Sequence, residues 1–524
     1  MEEEAAAAPK RSHLRVLMLP WLAHGHLSPF LELAKRLSHN SIFVYLCSTS
    51  VNLDSIKQQL MIHKQHGIDN GEYSPAFPSI KLIELHLSNT SLQAPHLHTT
   101  KYLPTHLMPA LKTAFDLSEQ SFTQILRDVH PDLLIYDFIQ PWAPRAANSL
   151  NIPAVLFLTT GAASTSFFYH YLNSRRHNFP FPEMSLSQSE DQQDNIKHIE
   201  TTLLNRKANG ITDAERLLEC ISMSSNFVAI KTFREIESNY MDYLSSLTGK
   251  ELVPVGPLVP NTIDGDSESS RRLIQWLSNK DRSSVLFVSF GSEYFMEKEE
   301  IEEIARGLEL SKVSFIWVVR YPEPHEEAVA TGEKRVQLQG AAYYNYKELE
   351  GCGHFEEKID DDKIGVIIEG WVPQREILSN TSIGGFLTHC GWSSVIEGMR
   401  FGVPILAMPL QLDQPLNANL VVELGVGVKI KEELLAADHE HAGYGATSTS
   451  TTSTAAEPKT TTTTNVGRRM FKRDEIAKVI RDVIGSEHGL GIKKKAKQIA
   501  ELMGFKGNQE ISFLVEKMAL LCLK

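Results

Sequence analysis

Short apolar runs alternate with longer amphipathic stretches over most of the chain. The first run, HLRVLMLP (residues 13–20), reads as a buried strand of a parallel sheet. The segment WLAHGH then reads as a loop, and Ser28-Pro29 as the start of a helix whose apolar stripe is Leu31, Leu33, Ala34 and Leu37. Further strand-like runs follow at residues 41–48, 80–85, 131–137 and 153–159, with an amphipathic stretch at about 104–127. Strands that alternate with helices require right-handed crossovers, which predicts a parallel sheet covered on both faces.

The pattern weakens between about Ser185 and Ser225, and the segment VPVGPLVPNTIDGDSESS (residues 253–270) reads as a linker. A second series begins beyond it: SVLFVSFGS, FIWVVR, GVIIEG, GGFLTHCG and PILAMP. The fold class expected is α/β, with two doubly wound parallel-sheet domains facing across a cleft. The division predicted is an amino-terminal domain over 1–252, a linker over 253–275, a carboxyl-terminal domain over 276–505, and a last helix over 506–524 packing back on the first domain. Ligands belong at the carboxyl ends of the two sheets. Residues 321–363 form a polar connection without a clear period. Residues 439–467 are nearly all Thr, Ser, Ala and Gly, a composition that predicts a disordered surface insertion.

Composition narrows the functional classes. The 524 residues are 42% apolar and 22% charged, as in ordinary globular proteins, and the net charge of −12 excludes a surface that gathers nucleic acid. Acidic residues stand at the amino terminus where a secretory signal would be basic, and no run of about 18 apolar residues suggests a membrane span. The five cysteines are scattered, with no CxxC pair. A reduced, cytoplasmic, monomeric protein is expected.

Residues 371–414, WVPQREILSNTSIGGFLTHCGWSSVIEGMRFGVPILAMPLQLDQ, carry the candidate chemistry. A strand runs into small residues that open a helix near Trp392, so backbone N–H groups and the helix dipole face an anion. His389, Ser393 and Ser394 add donors for a diphosphate. Trp371 offers a plane for a base and Gln374 an amide beside it. Glu397 suits vicinal ribose hydroxyls, and Asp413-Gln414 suits a sugar. Asp360-Asp361-Asp362 reads as a solvated acidic run, and His389-Cys390 lacks further ligands at zinc spacing. The first strand is not followed by GxGxxG, which argues against a nicotinamide oxidoreductase.

This segment closely resembles the donor-binding signature of plant small-molecule UDP-sugar glycosyltransferases, through WVPQ, THCGWSS, Glu397, GVP and the terminal DQ. The likeness extends to VLMLPWLAHGHLSPFLELAKRLS, LLIYDFIQPWAPR, VPVGPL and LFVSFGSEYF. HLHTTKYLPTHLMPALKTAF and SFGSEYF look most like the branch that adds a sugar to the sugar of a natural-product glycoside. The resemblance implies the GT-B fold, inversion at the anomeric carbon and no metal or other cofactor beyond the UDP-sugar donor substrate. Carried over, Trp371 would stack on uracil with Gln374 nearby, and Glu397 would bind ribose. His389, Ser394 and Ser292 would hold the diphosphate. Trp392, Asp413 and Gln414 would surround the donor sugar, with Thr159 reaching it from the other domain. Ser393 stands where the family usually has asparagine, and the family's stretch before WxPQ is absent.

Transfer with inversion needs a base. His26 follows the first strand and Asp137 ends PDLLIYD, both at the cleft edge of the first sheet. A histidine oriented by a carboxylate suits proton abstraction, and the resemblance implies this dyad. His24, two residues earlier, reads as structural. The expected activity is transfer of glucose from UDP-glucose to a sugar hydroxyl of a triterpenoid or flavonoid glycoside, giving a β-glycosidic bond. The alternatives are direct glucosylation of an aglycone and a non-catalytic nucleotide-sugar-binding protein.

Overall fold

The structure, a computed structural model, describes residues 14–60, 77–87, 92, 94–101, 103–173, 178–186, 193–259, 268–291, 294–319, 365–434 and 469–523. Ser292, the polar connection with Asp360–Asp362, the Thr/Ser-rich insertion and residues 260–267 of the linker lie outside them.

Two parallel sheets organise the chain. The first has seven strands in the order Ile80–Glu84, Phe43–Ser48, Arg15–Leu19, Leu133–Tyr136, Ala154–Leu158, Phe227–Ile230 and Glu251–Pro254. The second has six, in the order Gly365–Glu369, Ser314–Val319, Val285–Ser289, Ile383–Thr388, Ile405–Ala407 and Gly427–Lys429. In each, the chain starts in the interior, winds to one edge, and then crosses back to build the other half. This is the α/β GT-B architecture. In the first sheet Leu17 lies opposite both Tyr45 and Leu134, so the first strand is flanked on both sides and buried throughout its apolar run.

Three expectations are corrected. The helix placed at Ser28-Pro29 begins at His24 and runs to His39, with Pro29 inside it. Pro29 has no N–H to give to the carbonyl four residues back, but that residue is Gly25, in the first turn, where the helix has least to lose. Ala23 O instead accepts from both His26 N (2.9 Å) and Leu27 N (2.8 Å), fixing the start. His26 is therefore a first-turn helical residue, not a loop residue. The second correction concerns the domain edge. Strand Glu251–Pro254 pairs with Phe227–Ile230 in the first sheet, so the sheet runs past residue 252 into the segment read as linker. Third, there is no break at 505: one helix runs from Glu487 to Cys522. Glycines 504 and 507 cost it about 1 kcal/mol each, too little to end it when both of its halves are packed.

The region where the pattern weakens is ordered through local polar chemistry. Thr212 and Glu215 form a reciprocal capping box that starts helix Asp213–Met223. That helix carries Arg216, which is fully buried and donates to Asp116 through two nitrogens at 2.8 and 2.6 Å. Lys112 donates to Asp213 beside it at 2.5 Å. Removing one member of such a pair strands a buried charge, so Asp116→Ala is expected to cost about 3–5 kcal/mol. Urea unfolding reads this directly; a cost under about 1 kcal/mol, the surface-pair value, would contradict it.

One apolar cluster joins Trp21, Phe115, Trp142 and Phe167 of the first unit to Trp392, Val395, Ile396 and Leu416 of the second. The long final helix also bridges the units. Ala496, Ile499 and Met503 belong to this shared cluster, whereas Ile511, Leu514 and Met518 pack under the first sheet.

Candidate active site

Every residue of the site follows the carboxyl end of a parallel strand or opens the helix after it. In the first sheet the strand order reverses beside Arg15–Leu19, whose other neighbour is Leu133–Tyr136. His26 follows one and Asp137 the other, so the topology brings together two residues 111 positions apart. His26 Nδ1 lies 2.7 Å from Asp137 Oδ2. Asp137 is fully buried, and its carboxylate also accepts from Trp21 N at 3.1 Å and Phe138 N at 2.8 Å. These three contacts hold the carboxylate in place. Nδ1 is thereby the donor to Asp137, which leaves the Nε2 lone pair for other chemistry. The imidazole keeps 19% of its side-chain exposure. Thr159, expected at the donor sugar, has its hydroxyl 3.1 Å from the same Nδ1.

The second sheet repeats the device. Its order reverses beside Val285–Ser289, whose neighbour is Ile383–Thr388. Gly291 follows the first and His389 the second. Gly291 adopts a φ of +77°, and a Cβ there would sit 2.7 Å from the His389 ring; a Cβ on Gly391 would sit 2.6 Å from Nε2. The ring is thus cradled between two backbones that only glycine permits. Burial pushes the His389 imidazole down to about 4, so it is neutral at ordinary pH and acts as a hydrogen-bonding group, not a cation.

Cys390, in the left-handed region at φ 64°, turns the chain sharply into helix Trp392–Arg400. The helix has Gly391 as N-cap, no side-chain cap and no acidic residue in its first turn. Its leading N–H groups and dipole are therefore available to an anion. Ser393 and Ser394 sit in that first turn. Glu397 lies one turn on and accepts from Gln374 Nε2 at 2.7 Å. Burial raises its carboxyl, while the Gln374 hydrogen bond and the charges of Lys231 and Arg375 oppose that rise.

Trp371 follows strand Gly365–Glu369, and the residue is 53% exposed. Its one neighbouring ring among the described residues is His24, 5.0 Å away and edge-on at 82°. Asp413 caps helix Gln414–Glu423 and accepts from Asn417 Nδ2 at 2.9 Å. Burial raises its carboxyl, and the Asn417 hydrogen bond opposes the rise. Gln414 is buried, its amide oxygen accepting from Leu410 N and Gln411 N, both at 2.9 Å. Trp392 is also buried. Its indole N–H donates to Lys231 O at 2.7 Å and its ring packs against Gly161. Trp392 thus uses its N–H to join the two units, whereas Gln414 uses its amide oxygen on the turn just before its own helix.

Sequence reasoning did not single out Lys231, Arg375 or Glu237, and it gave His24 a structural role. Lys231 follows strand Phe227–Ile230, a four-residue strand that the sequence pattern did not mark. Its position at a carboxyl strand end was the available signal. Glu237 is buried and receives Ala162 N and Ala163 N, capping the helix that follows Thr159. Among the described residues, no group of three or more His, Cys, Asp or Glu is placed to hold a metal ion.

Comparison with known proteins agrees with this geometry. Residues 266–442 match the family model for UDP-glucuronosyl and UDP-glucosyl transferases, and residues 12–260 match that for the glycosyltransferase N-terminal domain. A mogroside IIIx synthase of Siraitia grosvenorii is 41% identical over 98% of this chain and 94% of its own. A flavanone 7-O-glucoside 2''-O-beta-L-rhamnosyltransferase of Citrus maxima is 39% identical over 97% of each chain. A Glycyrrhiza uralensis glycosyltransferase, solved with glycyrrhetinic acid 3-O-monoglucuronide, superposes with a TM-score of 0.70 at 21% identity, covering 98% of this chain and 97% of that one. The chain belongs to the UDP-glucuronosyl and UDP-glucosyl transferase family. It is a UDP-glycosyltransferase with the GT-B fold.

Proposed function

We propose that the enzyme transfers glucose from UDP-glucose to a sugar hydroxyl of a plant triterpenoid or flavonoid glycoside, with inversion, to give a β-glycoside. The observation that carries the reading is the His26–Asp137 pair at 2.7 Å, set at the carboxyl edge of the first sheet. The names of the two relatives support a glycoside as acceptor, one being a synthase of a mogroside and the other acting on a flavanone glucoside.

In this mechanism Asp137 fixes the His26 tautomer with the proton on Nδ1. His26 Nε2 takes the acceptor hydroxyl proton as the oxygen attacks the anomeric carbon from the face opposite UDP. Asp137 then stabilises the imidazolium that forms. The departing diphosphate meets the N–H groups of the helix at Trp392, with His389 and Ser394 donating beside them, so charge develops where donors are already aimed. Trp371 and Gln374 hold the uracil and Glu397 the ribose. Asp413 and Gln414 line the sugar subsite, Asp413 presenting its carboxylate. Trp392 shapes that subsite by packing, and Thr159 acts through His26. The reaction needs no metal, and the protein works as a cytoplasmic monomer.

Mass spectrometry of products formed from paired aglycones and monoglucosides, each offered several UDP-sugars, tests the reading. The expected result is a hexose added to the monoglucosides with UDP-glucose preferred. Efficient transfer to the bare aglycones alone would overturn the acceptor assignment, and preference for another UDP-sugar would overturn the donor.

A further inference from the structure

Lys231 has an ammonium group buried between the two units, with the residue 3% exposed. Its Nζ donates to Ser393 Oγ at 2.8 Å, and its own carbonyl receives the Trp392 indole N–H at 2.7 Å. One residue of the first unit thus grips two successive residues at the start of helix Trp392–Arg400. Ser393 Oγ is the one hydrogen-bond acceptor of the ammonium among the described residues, and an ammonium has three N–H groups to place. Glu397 and Glu32 act on it electrostatically, but neither forms a salt bridge with it among the described residues.

This placement calls for a complementary negative charge. A buried cation stands at the positive end of a helix whose first turn has no acidic residue and no side-chain cap. Burial pushes the Lys231 ammonium down to about 8, with Glu397 and Glu32 opposing the fall. A phosphate anion at this helix start would supply that charge. A cation that donates to a serine oxygen also leaves that serine's O–H free to point away from it, toward the helix N-terminus.

We infer that Lys231 is a positioning residue for the donor: through Ser393 it brings a positive charge and an oriented hydroxyl to the diphosphate of the bound nucleotide. The inference rests on the UDP-sugar reading of the site. It links the two units as well, because the charge comes from the first sheet while the phosphates rest on the second.

Binding of UDP and of uridine to the wild-type and variant enzymes separates the possibilities. Lys231→Met is expected to weaken UDP at least about tenfold while shifting uridine less than about twofold, the difference a charge-assisted contact to the phosphates supplies. Lys231→Arg should stay within about threefold of wild type for both, since it keeps the charge. Equal weakening of UDP and uridine in Lys231→Met, or no weakening of UDP, would overturn the assignment. If Lys231→Met does not fold, Ser393→Ala reads the same relay from its other end, and an unchanged UDP-to-uridine ratio there overturns it. Absence of UDP binding in the wild type would sink the functional reading itself, an outcome seen without any variant.

Discussion

Replacing His26 with alanine is expected to lower kcat by about 10²–10⁴-fold, the range a positioned general base contributes, while UDP binding stays unchanged. The separation follows from geometry. His26 belongs to the first unit and reaches the cleft from the first turn of helix His24–His39, whereas the nucleotide-facing residues follow strands of the second sheet. Deleting the imidazole removes the proton acceptor without touching the helix N-terminus, His389 or Trp371. Steady-state turnover at saturating acceptor, alongside a UDP titration, provides the measurement. Turnover within a factor of about two of wild type would remove His26 from the chemistry.

Asp137→Asn should produce a loss of similar scale, about 10²-fold or more in kcat, by a different route. The carboxylate is an acceptor at every contact it makes: from His26 Nδ1, Trp21 N and Phe138 N. Asparagine has one acceptor oxygen and an amide that only donates. If the oxygen stays with the backbone, the amide faces Nδ1 and drives the ring proton to Nε2, where the acceptor hydroxyl must arrive. The base is then present but already protonated on its working nitrogen. Thermal unfolding should show a modest loss, because steric volume is retained and one backbone contact survives. A variant with wild-type turnover would show that orientation by Asp137 contributes nothing. A variant that simply failed to fold would show no cooperative melting transition, whereas this one is expected to melt only modestly below wild type.

Much of this architecture was readable from periodicity, and the reasons for the failures are physical. Runs such as VLML and VLFVS are apolar at every position because both faces of a central parallel strand are covered, so they stand out. FVAI and ELVP carry the same signal, but each is only four residues long and the second leads into a Pro/Gly segment that reads as a linker. The start of the first helix was misplaced because Pro29 is a strong signal for a first position, whereas Gly25 makes a proline four residues later tolerable. Among site residues, the second-sheet motif was legible because it is local in sequence. His26 and Asp137 were legible through resemblance and strand position. Lys231 was not, since its meaning depends on Ser393, 162 residues away and in the other unit. Trp392 and Gln414 belong to the same lesson: residue type marks them as polar contacts, but only tertiary neighbours show where each polar group is spent.

The 36-residue helix Glu487–Cys522 spans about 54 Å, with one half rooted beside Gly402 in the second unit and the other under the first sheet, where Lys517 meets Glu251 at 2.7 Å. A rod anchored at both ends behaves as an axle. Swinging the two halves apart to admit a bulky glycoside must pivot about it, and sliding along it is resisted by two separate sets of side chains. Loading and product escape are thereby confined to a narrow arc of rotation, and the stiffness of the chain's last turns becomes a determinant of turnover far from any reacting atom.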